Sequence, residues 1–515
     1  MKRVALMFLW ILCLAPAWAA AAAENSASVI VFSRGIGGTT CGNGFVIGDG
    51  TLLITARHVV YPERPGGLHQ GDAFVTIFSP YLGDACEAEI VAQDRALDVA
   101  ILRLTWIGHP ALQLADEADV VAAEKVTLKG FAAALGALTA GKPHLLERST
   151  AHESAGLDVN AVVVRAGVSK SVVTASAPAG GGWGGAAMLL NETSTVVVGC
   201  YARTQANGTA GVGAAAGEIR RLIEQSAAAR ALNGRAPLLP PRADAAAATM
   251  DYLRAVAASS AGDAPAASAS LECFRQLRPN SAIGYRESAG QAWAQNNPDR
   301  AQALYAKALE IEPSLVSARV LYGQLLHQRF MPARALEHLR YVWEHGRCNR
   351  TAAVIPMCNL LREQGREKDC ADLLAAAVQQ NPTDGYLWNY LGQSRGALGE
   401  HASAAAAFAR SADLMPENES VRLKAADEHV AAGDRAKAEA QYRAAIDQHP
   451  RSASAYYYLA RFLARETDRR EEALRASRVA LDLADRPGAP PRATIQSLIS
   501  AISSGRASPA SDFKL

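Results

Sequence analysis

Residues 385–416 read GYLWNYLGQSRGALGEHASAAAAFARSADLMP, and their phasing decides the fold of the C-terminal half. Trp388, Leu391 and Gly392 fall at helical spacing, Ala404 and Phe408 do so again, and Pro416 ends the pattern. A helical hairpin closed by proline follows, because proline lacks the N–H that a helix interior needs yet suits the turn. The same phases recur in 282–313 (Ala289, Ala301, Tyr305, Ala308, Pro313) and in 419–450 (Ala426, Ala438, Tyr442, Ala445, Pro450). Pro279, Pro313, Pro382, Pro416 and Pro450 stand 34, 69, 34 and 34 residues apart. The double interval is one repeat that lost its proline near Arg347 and gained a residue. A fixed period of this length signals stacked helical hairpins.

This pattern resembles the tetratricopeptide repeat (TPR) nearly position for position. It implies an all-α TPR solenoid of six to seven repeats over 248–486, with degenerate caps at about 248–279 and 453–486. Small residues at the eighth and twentieth places let two helices approach closely, and the aromatic at the twenty-fourth fills the gap to the next hairpin. In 351–382 the two close-contact places are Cys358 and Cys370, which predicts a disulfide between them. The alternative is two buried thiols acting as small apolar residues.

Outward from the array, the chain has 515 residues, half of them apolar and a fifth charged, which excludes general disorder. At roughly 150 residues per domain it is a multidomain protein. Its 52 basic and 50 acidic side chains leave a net charge of +2 with no basic block, so nucleic acid is not an expected partner. Residues 1–23 start with Lys2-Arg3, continue through the apolar Val4–Leu14 and end in small residues after Pro16. That is the pattern of a cleaved signal peptide, which predicts export to the bacterial periplasm, with secretion as the alternative and no membrane insertion after cleavage. Seven cysteines follow residue 23, an odd number, so at least one thiol stays free or pairs outside the chain. The partners of Cys41, Cys86 and Cys200 are left open. Neither cysteine nor histidine shows zinc spacing, and no metal or cofactor is expected.

Between residue 27 and about 200 the texture is β. Ser28–Phe32, Gly44–Ile47, Leu52–Thr55, Phe74–Phe78, Glu89–Ala92, Val99–Leu104, Val126–Gly130, Ala161–Val164, Ser171–Thr174 and Val196–Cys200 are short β-branched runs set apart by Gly, Asp and Pro. Runs of this size and spacing predict antiparallel sheets closed into barrels or a sandwich. A short helix is expected over 217–225, an Ala/Pro-rich linker over 226–247 and a tail over 487–515.

Three segments of the β half read together: Cys41-Gly-Asn-Gly-Phe-Val-Ile-Gly48 with Leu53-Ile-Thr-Ala-Arg-His-Val-Val60; Asp94-Arg-Ala-Leu-Asp98 before Val99–Leu104; and Gly180-Gly-Gly-Trp-Gly-Gly185 before an apolar strand. Together they resemble the trypsin-like (chymotrypsin-fold, HtrA-like) serine peptidases over about 27–225. The resemblance implies an all-β double barrel with His58 as the base and Asp98 as the acid that orients it. It puts Trp183 where the Gly-x-Ser-Gly-Gly motif has its nucleophile, and the backbone amides of Gly181 and Trp183 at the oxyanion hole. An indole has one N–H and nothing nucleophilic, so acyl transfer through a serine ester is not available there. Arg57 is bulkier than the family prefers beside its histidine. His69, His109, His144 and His152 carry no partner pattern and are expected on the surface.

The expected function is therefore a protein-binding adaptor: an inactive trypsin-like domain beside a TPR groove that takes a protein or peptide. One alternative is an active periplasmic serine endopeptidase with Ser176 as its nucleophile and the repeats recruiting substrates or partners. A third reading has the β half only packing against the repeats. The sequence leaves the oligomeric state open.

Overall fold

The computed structural model describes residues 27–35, 38–61, 74–106, 109–116, 125–130, 160–168, 172–175, 184, 186–190, 196–204, 211–226, 242–346, 349–486 and 488–504. The signal-like segment 1–23 lies outside them.

Every β-branched run singled out above lies in a strand, apart from Ser171, which lies outside the described residues. Six strands, β1 (Ser28–Gly35), β2 (Gly38–Ile47), β3 (Leu52–Ala56), β4 (Phe74–Ser79), β5 (Asp84–Asp94) and β6 (Val99–Leu104), close into a barrel in the order β1-β2-β3-β6-β5-β4. Val29, Val31, Val46, Leu53, Ile77 and Leu102 fill it, all at most 4 % exposed. A single turn, α1 (Arg57–Val60), follows β3.

The second sheet is built from β7 (Gln113–Leu114), β8 (Lys125–Gly130), β9 (Asn160–Val168), β10 (Val172–Ala175), β11 (Ala187–Leu189), β12 (Val196–Thr204) and β13 (Gly211–Ala215). Its order is β11-β8-β9-β10-β13-β12-β7, and β11 also pairs with β12, so these strands return on themselves. Phe45, Ile54 and Ile101 of the first barrel share one buried cluster with Ala187, Leu189 and Val197 of the second. The β half is thus a chymotrypsin-like double barrel. β7 and β13 were not anticipated: β7 is only two residues long, and the Gly211-Val-Gly-Ala-Ala215 of β13 has too little β-branched character to stand out.

Helices follow. α2 (Ala216–Gln225) covers the second sheet. Then come α3 (Ala245–Ser260), α4 (Ala264–Leu277), α5 (Ala282–Ala294), α6 (Pro298–Ile311), α7 (Val316–Gln328) and α8 (Pro332–His345). The chain divides into two compact units, and the first, ending at Ala352, contains both sheets and these helices.

Within that first unit the barrel and the first hairpins share a core. Phe78 of β4 stacks on Tyr252 of α3 with centroids 4.6 Å apart, and Tyr252 meets Phe274 of α4 at 5.2 Å. Arg278, whose side chain is 1 % exposed, donates to the Leu82 carbonyl at 3.2 Å and forks onto Asp244 at 2.8 and 2.9 Å. Ser281 Oγ donates to Asp84 at 2.7 Å, and Arg286 donates to Thr76 Oγ1 at 3.0 Å. Burying a guanidinium is tolerable only with such pairing.

The second unit holds α9 (Val354–Glu363), α10 (Glu367–Gln380), α11 (Gly385–Ala397), α12 (His401–Leu414), α13 (Glu419–Ala431), α14 (Arg435–Gln448), α15 (Ala453–Leu463), α16 (Arg470–Asp482) and α17 (Arg492–Ser503). The helix pairs follow the expected phases: Ala301, Ala404 and Ala438 are fully buried. The aromatic at the twenty-fourth place reaches the next hairpin as expected: Tyr305 stacks on Tyr322 at 5.9 Å, and Tyr442 meets Phe462 at 5.4 Å. A Cβ on Gly392 would lie 2.8 Å from the Phe408 ring, so glycine is what lets α11 and α12 close on it.

Two expectations need correction here. The tail contains α17, whose Ile495, Leu498 and Ile502 lie on one face and bury in the last hydrophobic cluster. Cys358 and Cys370 form no disulfide. Both are free, buried thiols. The hairpin does bring the two residues together, but the Cys358 thiol donates to the Cys370 carbonyl at 3.8 Å, and Cys370 Sγ lies 3.3 Å from Ser394 Oγ. They pack as small apolar residues with weak donors. A hydrogen bond with the Cys370 side chain, together with burial, holds the Cys358 thiol above its ordinary range.

Candidate active site

β3 and β6 are antiparallel neighbours with Ala56 opposite Val99. Residues just past the end of β3 therefore meet those just before β6, and this is where His58 and Asp98 stand. One carboxylate oxygen of Asp98 accepts the His58 backbone N–H at 2.9 Å; the other lies 2.8 Å from His58 Nδ1. Two contacts from one carboxylate fix both the ring's position and its rotation. Asp98 adopts φ 53, a left-handed conformation that aspartate tolerates better than most residues. Its backbone carbonyl also accepts the Arg57 N–H at 3.0 Å.

Three hydroxyls hold the short turn that bears His58. Thr55 Oγ1 donates to the Asn43 carbonyl at 2.6 Å, Thr40 Oγ1 to Val59 at 2.8 Å and Ser33 Oγ to Val60 at 3.1 Å. Arg57 is buried, with Nε on Gln93 at 2.9 Å and its guanidinium 5.1 Å from the Tyr61 ring. The His58 side chain remains 44 % exposed and Asp98 17 %.

The second barrel brings Gly184 to the imidazole. A Cβ built on Gly184 would lie 2.8 Å from His58 Nε2 and 3.0 Å from Cε1. The Gly184 carbonyl accepts the Asn43 N–H at 2.8 Å, which ties the loop to β2 of the first barrel. Just beyond, β11 pairs with both β8 and β12. The arrangement so far is an oriented base whose other ring edge faces the backbone at Gly184.

Residues 42–199 match the family model of the trypsin-like peptidase domain. No curated protein matches the chain. Among solved structures, the Rv3671c protease from M. tuberculosis in its active form is 20 % identical, covering 42 % of this chain and 88 % of that one with a TM-score of 0.30. YrrB, a TPR protein with an unusual peptide-binding site, is 22 % identical, covering 35 % of this chain and 92 % of its own at 0.28. PilW, a type IV pilus biogenesis factor, is 17 % identical, covering 41 % and 95 % at 0.33.

Within the trypsin-like domain, Trp183, Gly181 and Ser176 lie outside the described residues. Among those described, the hydrogen-bond partner of the His58 ring is Asp98. Asn43 and Gly184 were not singled out from the sequence, although both sit inside quoted motifs. No group of three His, Cys, Asp or Glu able to hold a metal occurs among the described residues. Nor is any described helix long and apolar enough to cross a membrane. Cys41, Cys86 and Cys200 are free thiols, and burial pushes Cys41 up to about 11 and Cys86 up to about 12. They stay protonated, poor nucleophiles near neutral pH.

His109 departs from the surface position expected of it. It is 1 % exposed, stacked on Trp106 at 5.8 Å, with Nδ1 2.9 Å from the Pro110 carbonyl and Nε2 2.9 Å from Ser79 Oγ. Both ring nitrogens find partners, which is what makes its burial affordable. His69, His144 and His152 lie outside the described residues.

Proposed function

We propose that the chain is an exported adaptor in which a trypsin-like domain without a nucleophile serves as one binding surface and the helical repeats bind a protein or peptide. The observation that carries this reading is the meeting of His58 Nε2 with Gly184. The base of an acyl-transfer site acts on a hydroxyl or thiol within hydrogen-bond reach, and glycine has neither. Stacked helical hairpins supply an extended surface that suits a peptide or protein segment. Neither metal nor cofactor enters the reading, and the near-balanced charge with no basic block gives no footprint for nucleic acid. The purified full-length protein should neither cleave casein nor take up a fluorophosphonate probe; stoichiometric labelling would overturn the reading. The periplasmic location rests on the pattern of residues 1–23, and recovery of the protein in the cytoplasmic fraction would refute it.

A second reading, an active serine endopeptidase with the repeats recruiting its substrates or partners, draws on the intact His58–Asp98 pair at 2.8 Å. It requires a hydroxyl such as that of Ser176. Equal loss of hydrolysis in Ser176→Ala and His58→Ala would support it.

A further inference from the structure

We infer that Gly184, one residue beyond Trp183, stands at the nucleophile position, and that the His58–Asp98 base beside it is competent to deprotonate a side chain placed there. This deepens the adaptor reading and rests on it: the domain lacks its nucleophile through a missing side chain while the base is kept.

A nucleophile and its base are recognised by geometry: the attacking atom must lie within hydrogen-bond reach of the ring nitrogen that the orienting acid leaves free. Asp98 takes Nδ1, so that nitrogen is Nε2. Among the described residues, the position whose Cβ vector points at Nε2 is 184, at 2.8 Å. The position is held from two sides. Asn43 donates to the Gly184 carbonyl through its backbone N–H at 2.8 Å and its side-chain amide at 3.5 Å, and β11 begins at Ala187 with partners on both edges. Gly184 therefore cannot swing away without breaking the junction between the barrels. The Gly-x-Ser-Gly-Gly motif accommodates this register. Gly182 takes its first place, Trp183 the variable second, Gly184 the third in place of Ser and Gly185 the fourth, with Ala186 in place of the last Gly.

A Cβ at 2.8 Å is closer than carbon and nitrogen rest, so the ring edge, the far end of its side chain, must shift to admit it. The half-exposed His58 side chain has room to do so. A thiol at 184 would then pass its proton to Nε2, leaving a thiolate beside an imidazolium. With iodoacetamide the sulfur forms a bond to carbon as the carbon–iodine bond breaks, iodide leaves, and the imidazolium returns its proton to solvent.

The test uses the full-length chain with Gly184→Cys and, separately, Trp183→Cys, each with and without His58→Ala. Alkylation of the introduced thiol is followed against pH by peptide-mapped mass spectrometry, which separates it from the native cysteines. For Gly184→Cys we expect the rate to half-titrate at least one pH unit below the ordinary thiol value of about 8.5, a shift that His58→Ala abolishes. Trp183→Cys should titrate normally whether or not His58 is present. A His58-independent profile at 184, or His58 dependence at 183 instead, overturns the inference. If Gly184→Cys fails to fold, Gly184→Ala reads the same geometry: its methyl group should move the His58 ring resonances in the NMR spectrum, and unmoved resonances overturn it. Fluorophosphonate labelling of the unmodified protein would sink the adaptor reading alone, because the thiol profiles would still report on position 184.

Discussion

Glu87 of the barrel caps α7: its two carboxylate oxygens accept the backbone N–H groups of Val316 and Ser317 at 3.0 and 3.1 Å. The residue at the helix's own N-cap, Leu315, has no side-chain oxygen to offer. A helix start leaves its first N–H groups without partners, and here a strand more than two hundred residues earlier supplies the acceptor. Glu87→Ala should therefore destabilise the first unit by about 1–2 kcal/mol, and Glu87→Gln by less. Urea unfolding with equal slopes for variant and parent is the measurement that checks it.

The same joint carries a pH dependence. Burial pushes the Glu312 carboxyl up to about 7, and the Glu87 and Asp84 carboxylates nearby add to the effect. The folded-state value lies above the ordinary 4.5, so the folded chain keeps a proton that the unfolded chain releases. This contribution to stability is complete below about pH 4.5 and fades as pH rises through about 7. Glu312→Gln should change little at pH 4 and stabilise by on the order of 1 kcal/mol at pH 8, a half-buried carboxylate being partly screened. Equal shifts in the urea midpoint at both pH values would refute this.

His109 has the opposite sign. Burial pushes its imidazole down to about 4, below the ordinary 6.5, so the unfolded chain takes a proton that the folded chain refuses. Stability is full above about pH 6.5 and is lost as pH falls toward 4, by up to about 3 kcal/mol. His109→Asn costs stability at neutral pH through lost packing, yet its acid limb should be flatter. Unfolding midpoints at pH 7 and pH 4.5 for both proteins give the comparison.

Phe78 and Tyr252 make the barrel and the first hairpin one cooperative body. Phe78→Ala should cost about 3–5 kcal/mol and lower the melting of both β and helical signals together. Deleting 27–225 would expose Tyr252 and Phe274, so the helical remainder should aggregate or unfold rather than report cleanly on partner binding. Separate melting of the β and helical signals in Phe78→Ala would show the two parts to be independent.

Gly392 tests the repeat packing of the second unit. Gly392→Ala gains up to about 1 kcal/mol of helix propensity but drives a methyl group into the Phe408 ring, a collision that typically costs about 1–3 kcal/mol. The net effect should be destabilising, and Phe408→Leu in the same background should recover part of it. A more stable Gly392→Ala would refute the contact.

What the sequence determined by itself was whatever neighbouring residues encode. Alternating and β-branched runs marked the strands, the proline ladder marked the hairpins, and the ends of β3 and β6 put His58 and Asp98 within reach of each other because adjacent strands share a register. Tertiary structure alone decided what depends on distant segments meeting. Asn43 and Gly184 lie 141 residues apart, and their meeting brings Gly184 to the imidazole; a glycine-rich stretch has no side-chain pattern from which that contact could be read. Likewise Arg278, Glu87 and His109 look like ordinary polar residues in the sequence. Their burial followed from the closing of a barrel against a helical hairpin, which gave each of them partners that water would otherwise supply.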